Sequence, residues 1–204
     1  MPRRYVSNKN ESVRMFDSDF MEFFSHVHPS MPVVIYVPVL VYMIYYSHVE
    51  RGLGAQAIIG MFLVGLFIWT LVEYTLHRWV FHYQPKSGWG KRLHFIMHGV
   101  HHDYPNDATR LVMPPAISIP LAFLFYNIFG IVFGYRYAPA SFAGMILGYL
   151  FYDMLHYATH HFSMKRGVWL KLKQYHMKHH YADDDTGYGV SSPLWDYVFG
   201  TRQK

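Results

Sequence analysis

Two stretches of the chain contain no Arg, Lys, Asp or Glu: Gly52 to Val72 and Leu111 to Tyr135. At about 1.5 Å per residue, either run as a helix covers the roughly 30 Å of hydrocarbon in a bilayer. A backbone in lipid must satisfy its own amides, so each run constrains the chain to a membrane-spanning helix. Met31–Ser47 and Tyr137–Tyr152 are shorter apolar cores that reach spanning length by borrowing a turn from their neighbours. The expectation is an all-α integral membrane protein with four transmembrane helices, at about 31–49, 53–76, 113–134 and 137–157.

Four spans return both termini to one side, and the basic residues say which. Residues 1–30 carry four Lys or Arg, residues 77–110 carry five, and the segment beyond Tyr157 carries seven; the two opposite connections hold only Arg51 and Arg136. This 16 to 2 split predicts that the 1–30 segment and a helical cap built from 77–110 and 158–204 lie on the cytosolic face. Met1–Glu22 carries Arg3, Arg4, Lys9, Arg14 and four acids without an apolar core, unlike a cleavable signal, so the N-terminus is expected to stay where it is made. No internal repeat or Pro/Ser-rich linker divides residues 1–204, which reads as one domain; Ser87-Gly88-Trp89-Gly90 and Pro114-Pro115 read as punctuation. A net charge of +5 could suggest nucleic acid, but basic residues flanking long charge-free runs are accounted for by a bilayer. The absence of cysteine excludes disulfide scaffolds, thiolate zinc sites, iron–sulfur clusters and cysteine nucleophiles. A metal here would be held by nitrogen and oxygen.

Histidine is the deviant count, with 15 in 204 residues. Ten fall in four clusters, all on the expected cytosolic side: His77 and His82; His98, His101 and His102; His156 and His160; His176, His179 and His180. On a helix, separations of three and four share a face, so each His-x-x-His-His triplet is expected to present three imidazoles to a common point. His77 and His82, five apart, need a bulge or a helix end to converge. Imidazole suits iron, zinc, copper and nickel. Ten ligands exceed the coordination of one ion, which points to two metals with about five histidines each and one open position per metal. Asp153, three residues before His156, is the foremost acid for orienting an imidazole N–H, ahead of Asp183, Asp184, Asp185 and Asp196. His94 and His161 are further candidates, for that outer role or as substitute ligands, whereas His26, His28 and His48 stand apart, His48 on the outer side.

The clusters and their neighbours resemble the fatty acid hydroxylase/sterol desaturase superfamily, and its fatty acid 2-hydroxylase branch in particular. The likeness rests on Glu73-Tyr74-Thr75-Leu76-His77-Arg78-Trp79-Val80-Phe81-His82, Met97-His98-Gly99-Val100-His101-His102, Arg110-Leu111-Val112-Met113-Pro114-Pro115, Tyr152-Asp153-Met154-Leu155-His156-Tyr157, His176-Met177-Lys178-His179-His180-Tyr181, and Gly187-Tyr188-Gly189-Val190 followed by Leu194-Trp195-Asp196-Tyr197. The resemblance implies a cap holding a dimetal centre of two iron ions, which zinc can replace in a structure. With O2 as cosubstrate, that centre inserts oxygen beside the carbonyl of a long acyl lipid. It implies as ligands His77, His82, His98, His101, His102, His156, His160, His176, His179 and His180, with His160 rather than His161, and no catalytic side chain beyond them. Many eukaryotic members carry an N-terminal haem domain with a His-Pro-Gly-Gly signature; here His28-Pro29 is followed by Ser30-Met31. The electron donor is therefore expected in trans, a haem or ferredoxin-like protein, and the location is a bacterial inner membrane or the endoplasmic reticulum.

The span-end aromatics Trp69, Tyr74, Trp79, Phe81, Tyr149, Phe151 and Tyr152 serve as an interface belt, as helix packing or as the lining of a lipid entrance. The nearest competing activity is oxidation of a sterol or carotenoid, which shares the His clusters. A haem-bearing membrane electron carrier would need His pairs facing each other near mid-depth, and a metal transporter would need ionisable residues in mid-span. The clusters sit at span ends instead.

Overall fold

A computed structural model describes residues 5–203. Arg3, Arg4 and Lys204, which enter the charge count, lie outside the described residues. Every regular element among the described residues is helical: α1 (Asp19–Ser25), α2 (Met31–Val49), α3 (Ala55–Thr75), α4 (Gly88–His94), α5 (Val100–Asp103), α6 (Pro115–Phe133), α7 (Ala138–His161), α8 (Gly167–Tyr181) and α9 (Leu194–Val198). A π-helical turn, Leu76–Phe81, continues α3, and a second, Phe95–Gly99, joins α4 to α5. Three helical stretches are long and apolar enough to cross a bilayer: Met31–Val49, Ala55–Phe81 and Pro115–Phe133.

Residue chemistry sets the helix ends. Pro32 and Pro115 sit in the first turns of α2 and α6, where a missing N–H costs nothing, and Gly134 ends α6 with φ of 83°. Ser87 accepts from the Gly90 amide, so the Ser87–Gly90 segment expected as punctuation is instead the capped first turn of α4. The fourth expected span, 137–157, corresponds to α7, which starts at Ala138, runs on to His161 and carries His156 and His160 on its last two turns, but is not among the three apolar stretches.

The chain forms two compact units. One comprises Ser30–Leu71 and Met113–Asp153, which hold α2, most of α3, α6 and most of α7. In it, fewer than one residue in five of the apolar windows of α2 and α6 is buried, and Val34, Val41, Ile59, Leu63, Phe123 and Ile131 face outward. Outward apolar surface of this extent suits lipid. α7 differs: Ala138, Ala140, Ala143, Ile146 and Leu150 are buried. Its backbone meets α3 through glycine. A Cβ on Gly65 would lie 1.7 Å from the Ser141 carbonyl oxygen, and one on Gly144 would lie 1.9 Å from that of Phe62. Small residues at such crossings let helices in lipid gain van der Waals contact that larger side chains would prevent.

The other unit comprises Met1–Pro29, Val72–Val112 and Met154–Lys204. Here Arg110, with 3% of its side chain exposed, pairs with Glu22 at 2.5 Å and donates to the carbonyl of Val13 and the hydroxyl of Ser25. These bonds fasten α1 and the stretch of chain before it. Burial alone would raise the Glu22 carboxyl, but the amides of Phe16 and Met15, His26 and the Arg110 guanidinium together bring it down to about 2.

Candidate metal centre

Glu73 lies in the last turn of α3, and His77, four residues on, lies at the start of the π turn. Beyond them the helix widens: the His82 amide donates to the His77 carbonyl at 3.1 Å, an i to i+5 bond. The extra residue in this π turn cancels most of the angle, roughly 140°, by which positions five apart diverge on an α-helix. The bulge required by the His77/His82 spacing is this turn, and the two rings lie 4.9 Å apart. The second π turn carries His98, and nothing in the local spacing announces it.

All ten clustered histidines come together, in two groups of five whose donor nitrogens lie within 4.8 Å of one another in each group. The first group is His77, His82, His98, His102 and His179; the second is His101, His156, His160, His176 and His180. The triplets therefore do not converge on single points, as their spacing suggested. His98 and His102 go to the first group and His101 to the second, while His176 and His180 go to the second and His179 to the first. The reason is angular: i and i+4 are about 40° apart around a helix, but neighbours such as His101 and His102 are about 100° apart and must aim at different points. Each group thus combines one pair, two members of one triplet and the middle residue of the other. Stacking of His102 on His180, with centroids 4.2 Å apart, joins the groups.

The spacing within a group tests its suitability for metal. Nε2 to Nε2 separations are 3.1 Å for His77–His98, 3.1 Å for His98–His102 and 3.0 Å for His82–His179. They are 2.9 Å for His101–His156, 2.9 Å for His160–His176 and 3.1 Å for His176–His180. Donors about 2.1 Å from a common ion and at right angles lie about 3.0 Å apart, against about 3.4 Å in a tetrahedron. A neutral imidazole has one N–H, and a ring such as His98 or His176, each with two Nε2 neighbours, cannot satisfy both by hydrogen bonding. The donor sets fit a metal ion in each group.

Burial supplies the protonation state. Desolvation pushes His98, His101, His102, His176 and His180 well below the ordinary imidazole range, and repulsion from the other rings adds to it. His82 is brought down to about 2 by the same causes. The rings are neutral at physiological pH, the form that donates to a metal. Two outer nitrogens of the first group are held by backbone: His77 Nδ1 donates to the Tyr188 carbonyl at 2.5 Å and His179 Nδ1 to that of Thr186 at 2.8 Å. These bonds leave Nε2 to face inward. The Tyr188 ring lies edge-on to His77, His82 and His179, with centroids 5.3–5.8 Å away.

The remaining candidates stand outside both groups. His161 stacks on Tyr157 at 4.6 Å, and His94 belongs to neither set. Asp153 accepts from the Tyr149 hydroxyl at 3.1 Å and Asp183 from the Thr186 hydroxyl at 2.9 Å. His48 Nδ1 donates to the Leu53 carbonyl at 3.1 Å. Of the span-end aromatics, Trp69 packs on Tyr149 and Tyr152, and Tyr74 on Trp79. The carbonyls of Thr186 and Tyr188 and the carboxylate of Glu73 were not among the candidates. For Glu73 there was a signal, since it is the charge that ends the Gly52–Val72 run.

Apolar helices of spanning length and two adjacent groups of buried imidazoles define a class: all-helical, membrane-type proteins with histidine clusters that could hold a metal ion. The fatty acid hydroxylase family pattern matches residues 62–201. The chain is 45% identical over 192 residues to the dihydroceramide fatty acyl 2-hydroxylase FAH1 of Arabidopsis thaliana, covering 94% of this chain and 80% of that one. It is 38% identical over 210 residues to the fatty acid 2-hydroxylase of Rattus norvegicus, covering 93% of this chain and 56% of the rat enzyme. A solved structure of full-length scs7p, with only its hydroxylase domain visible, superposes with a TM-score of 0.85 at 38% identity, over 91% of this chain and 70% of that one. The chain belongs to the fatty acid hydroxylase family, a metal-dependent group of oxidoreductases.

Proposed function

We propose that this protein hydroxylates the 2-position of a long acyl chain, carried as a ceramide-like amide or a free fatty acid. The observation that carries this reading is the pairing of two five-imidazole groups in a chain that aligns along 94% of its length with an acyl 2-hydroxylase. The net reaction is R–CH2–CO–X + O2 + 2 e− + 2 H+ → R–CHOH–CO–X + H2O. The methylene carbon is oxidised, one oxygen atom is retained, and the other leaves as water. A protein donor acting in trans, of haem or ferredoxin-like chemistry, would supply the two electrons.

The ten clustered histidines would hold the metals, two iron ions in the catalytic form. When bound, the iron supplies O2 activation and the oxidising power needed at an unactivated C–H. The chain's own contribution is placement. Neutral rings leave the charge of the ions uncompensated within each group, and burial keeps competing water away. The carbonyls of Thr186 and Tyr188 fix the tautomers of His179 and His77. The π turn sets the His77–His82 pair directly after an apolar helix of spanning length, which we place in the membrane. A fourth span formed by α7 and a cytosolic cap complete this topology.

Expression in cells without a related activity, followed by lipid mass spectrometry, tests the reading. The expected result is a gain of one oxygen located at C2 by fragmentation. Loss of two hydrogens, or oxygen found on a sterol or carotenoid, would establish the competing activity instead.

A further inference from the structure

Among the carboxylates outside the imidazole groups that are almost completely buried are Glu73, 5% exposed, and Asp196, 0% exposed. Both are committed to one loop. Asp196 Oδ1 accepts from the Tyr188 amide and Oδ2 from the Gly189 amide, each at 2.9 Å. Glu73 Oε1 accepts from the amides of Val190 at 2.9 Å and Ser191 at 2.7 Å. Four consecutive peptide N–H groups are thus taken by two side chains. The loop is shaped for it: Gly187 has φ of 73°, and a Cβ on Gly189 would lie 2.1 Å from the Ser192 carbonyl oxygen and 3.0 Å from Asp196 Oδ2. Thr201 adds its hydroxyl to Asp196 Oδ1 at 2.8 Å, and its carbonyl accepts from the Gly187 amide at 2.8 Å.

The same loop supplies the carbonyls of Thr186 and Tyr188 that receive the outer N–H of His179 and His77. Glu73 and His77 lie four apart on one helix face, so the helix end grips the loop at 190–191 and meets it again at 188. In the second group, the Nδ1 atoms of His101, His160, His176 and His180 are buried and find no hydrogen-bond partner among the described residues. The two groups therefore differ in what stands behind their rings.

We propose that Glu73 and Asp196 are positioning residues of the first group: they clamp the 187–191 strap, whose Tyr188 carbonyl fixes the tautomer and direction of His77. They touch neither substrate nor the inner face of the group and act through the peptide backbone. The inference deepens the proposed function and rests on its reading of the ten histidines as metal-holding. It also accounts for three separate motifs, around Glu73, Gly187–Val190 and Asp196, being parts of one device.

The test loads the detergent-purified, folded protein with ferrous iron, counts ions per chain, and follows their release into an excess of ferrous chelator. The parent is expected to hold two ions. In Glu73→Ala and Asp196→Ala, one ion should leave at least about tenfold faster, the effect of removing a partner behind a ligand, while the other keeps the parent rate. Glu73→Gln retains Oε1, which takes both amides, and should behave as the parent. Asp196→Asn turns an NH2 toward an amide N–H and should behave as the alanine variant. That contrast carries the test if the alanine variants fail to fold. Two ions in the parent with unchanged release in Asp196→Ala or Asp196→Asn would overturn the strap alone, as would acceleration of both ions together. A parent that holds fewer than two ions would overturn the metal reading, and this inference with it.

Discussion

A single imidazole serves whichever point its ring reaches, and in this chain that point is often not the one its neighbours serve. His101 sits among first-group residues in sequence yet belongs to the second group, and His179 is its counterpart. Replacing either with Ala should therefore damage the group on the other triplet's side. Loss of hydroxylation by more than about 100-fold is expected, beyond the cost of losing a partner behind a ligand, with metal content falling and membrane insertion unchanged. Unchanged metal content, measured by elemental analysis, would count against those ligand assignments. Proton linkage makes a second prediction. The buried rings of His98, His101, His102, His176 and His180 resist protonation in the fold, whereas in the unfolded chain they titrate near 6.5. The unfolded state thus binds more protons below about pH 6.5. The metal-free protein should keep its full stability above that pH and lose it progressively as the pH falls, seen as a declining melting temperature in detergent. A melting temperature that rises on acidification would contradict this.

Among the elements, α3 and α7 approach closely through Gly65 and Gly144. Gly65→Ala places a methyl group against the Ser141 carbonyl, where neither backbone can yield without separating the helices. Overpacking of this kind costs about 1–3 kcal/mol, which differential scanning in detergent would register as a lower melting temperature. Gly60→Ala, on the same helix with open space around it, should melt as the parent or slightly above it. At the other end of the chain, α1 is held through Arg110, and removing one partner of a buried ion pair costs about 3–5 kcal/mol. The lower end of that range applies, because 14% of the Glu22 side chain reaches solvent. Arg110→Met should release α1 and expose the 13–26 segment to limited proteolysis; a parent-like cleavage pattern would show that α1 is held by other contacts.

For the whole molecule, the helical class and three of the spanning-length helices are legible in the sequence, because a charge-free run long enough to cross a bilayer has few alternatives in lipid. The positions of the four histidine clusters are equally plain, since spacing of three and four is a property of any helix. Glu73 and Tyr188 stand in motifs whose spacing assigns them no role, and Asp196, expected behind an imidazole N–H, instead accepts from the Tyr188 and Gly189 amides; these connections run through peptide groups far away along the chain, 117 positions in the case of Glu73 and Val190. Elemental analysis of the purified protein should find about two ions per chain, and one ion would remove the paired reading.

What the sequence by itself determined is the inventory: long apolar helices, no thiolate, and ten imidazoles placed at helical intervals near their ends. Local geometry encodes each of these. Only the tertiary structure decided how the ten are shared. The angle of about 100° between adjacent helical side chains forces every triplet to divide, but the point each ring then finds depends on elements far along the chain. The same holds for the strap, where buried carboxylates must be satisfied by whichever amides the fold brings within about 3 Å.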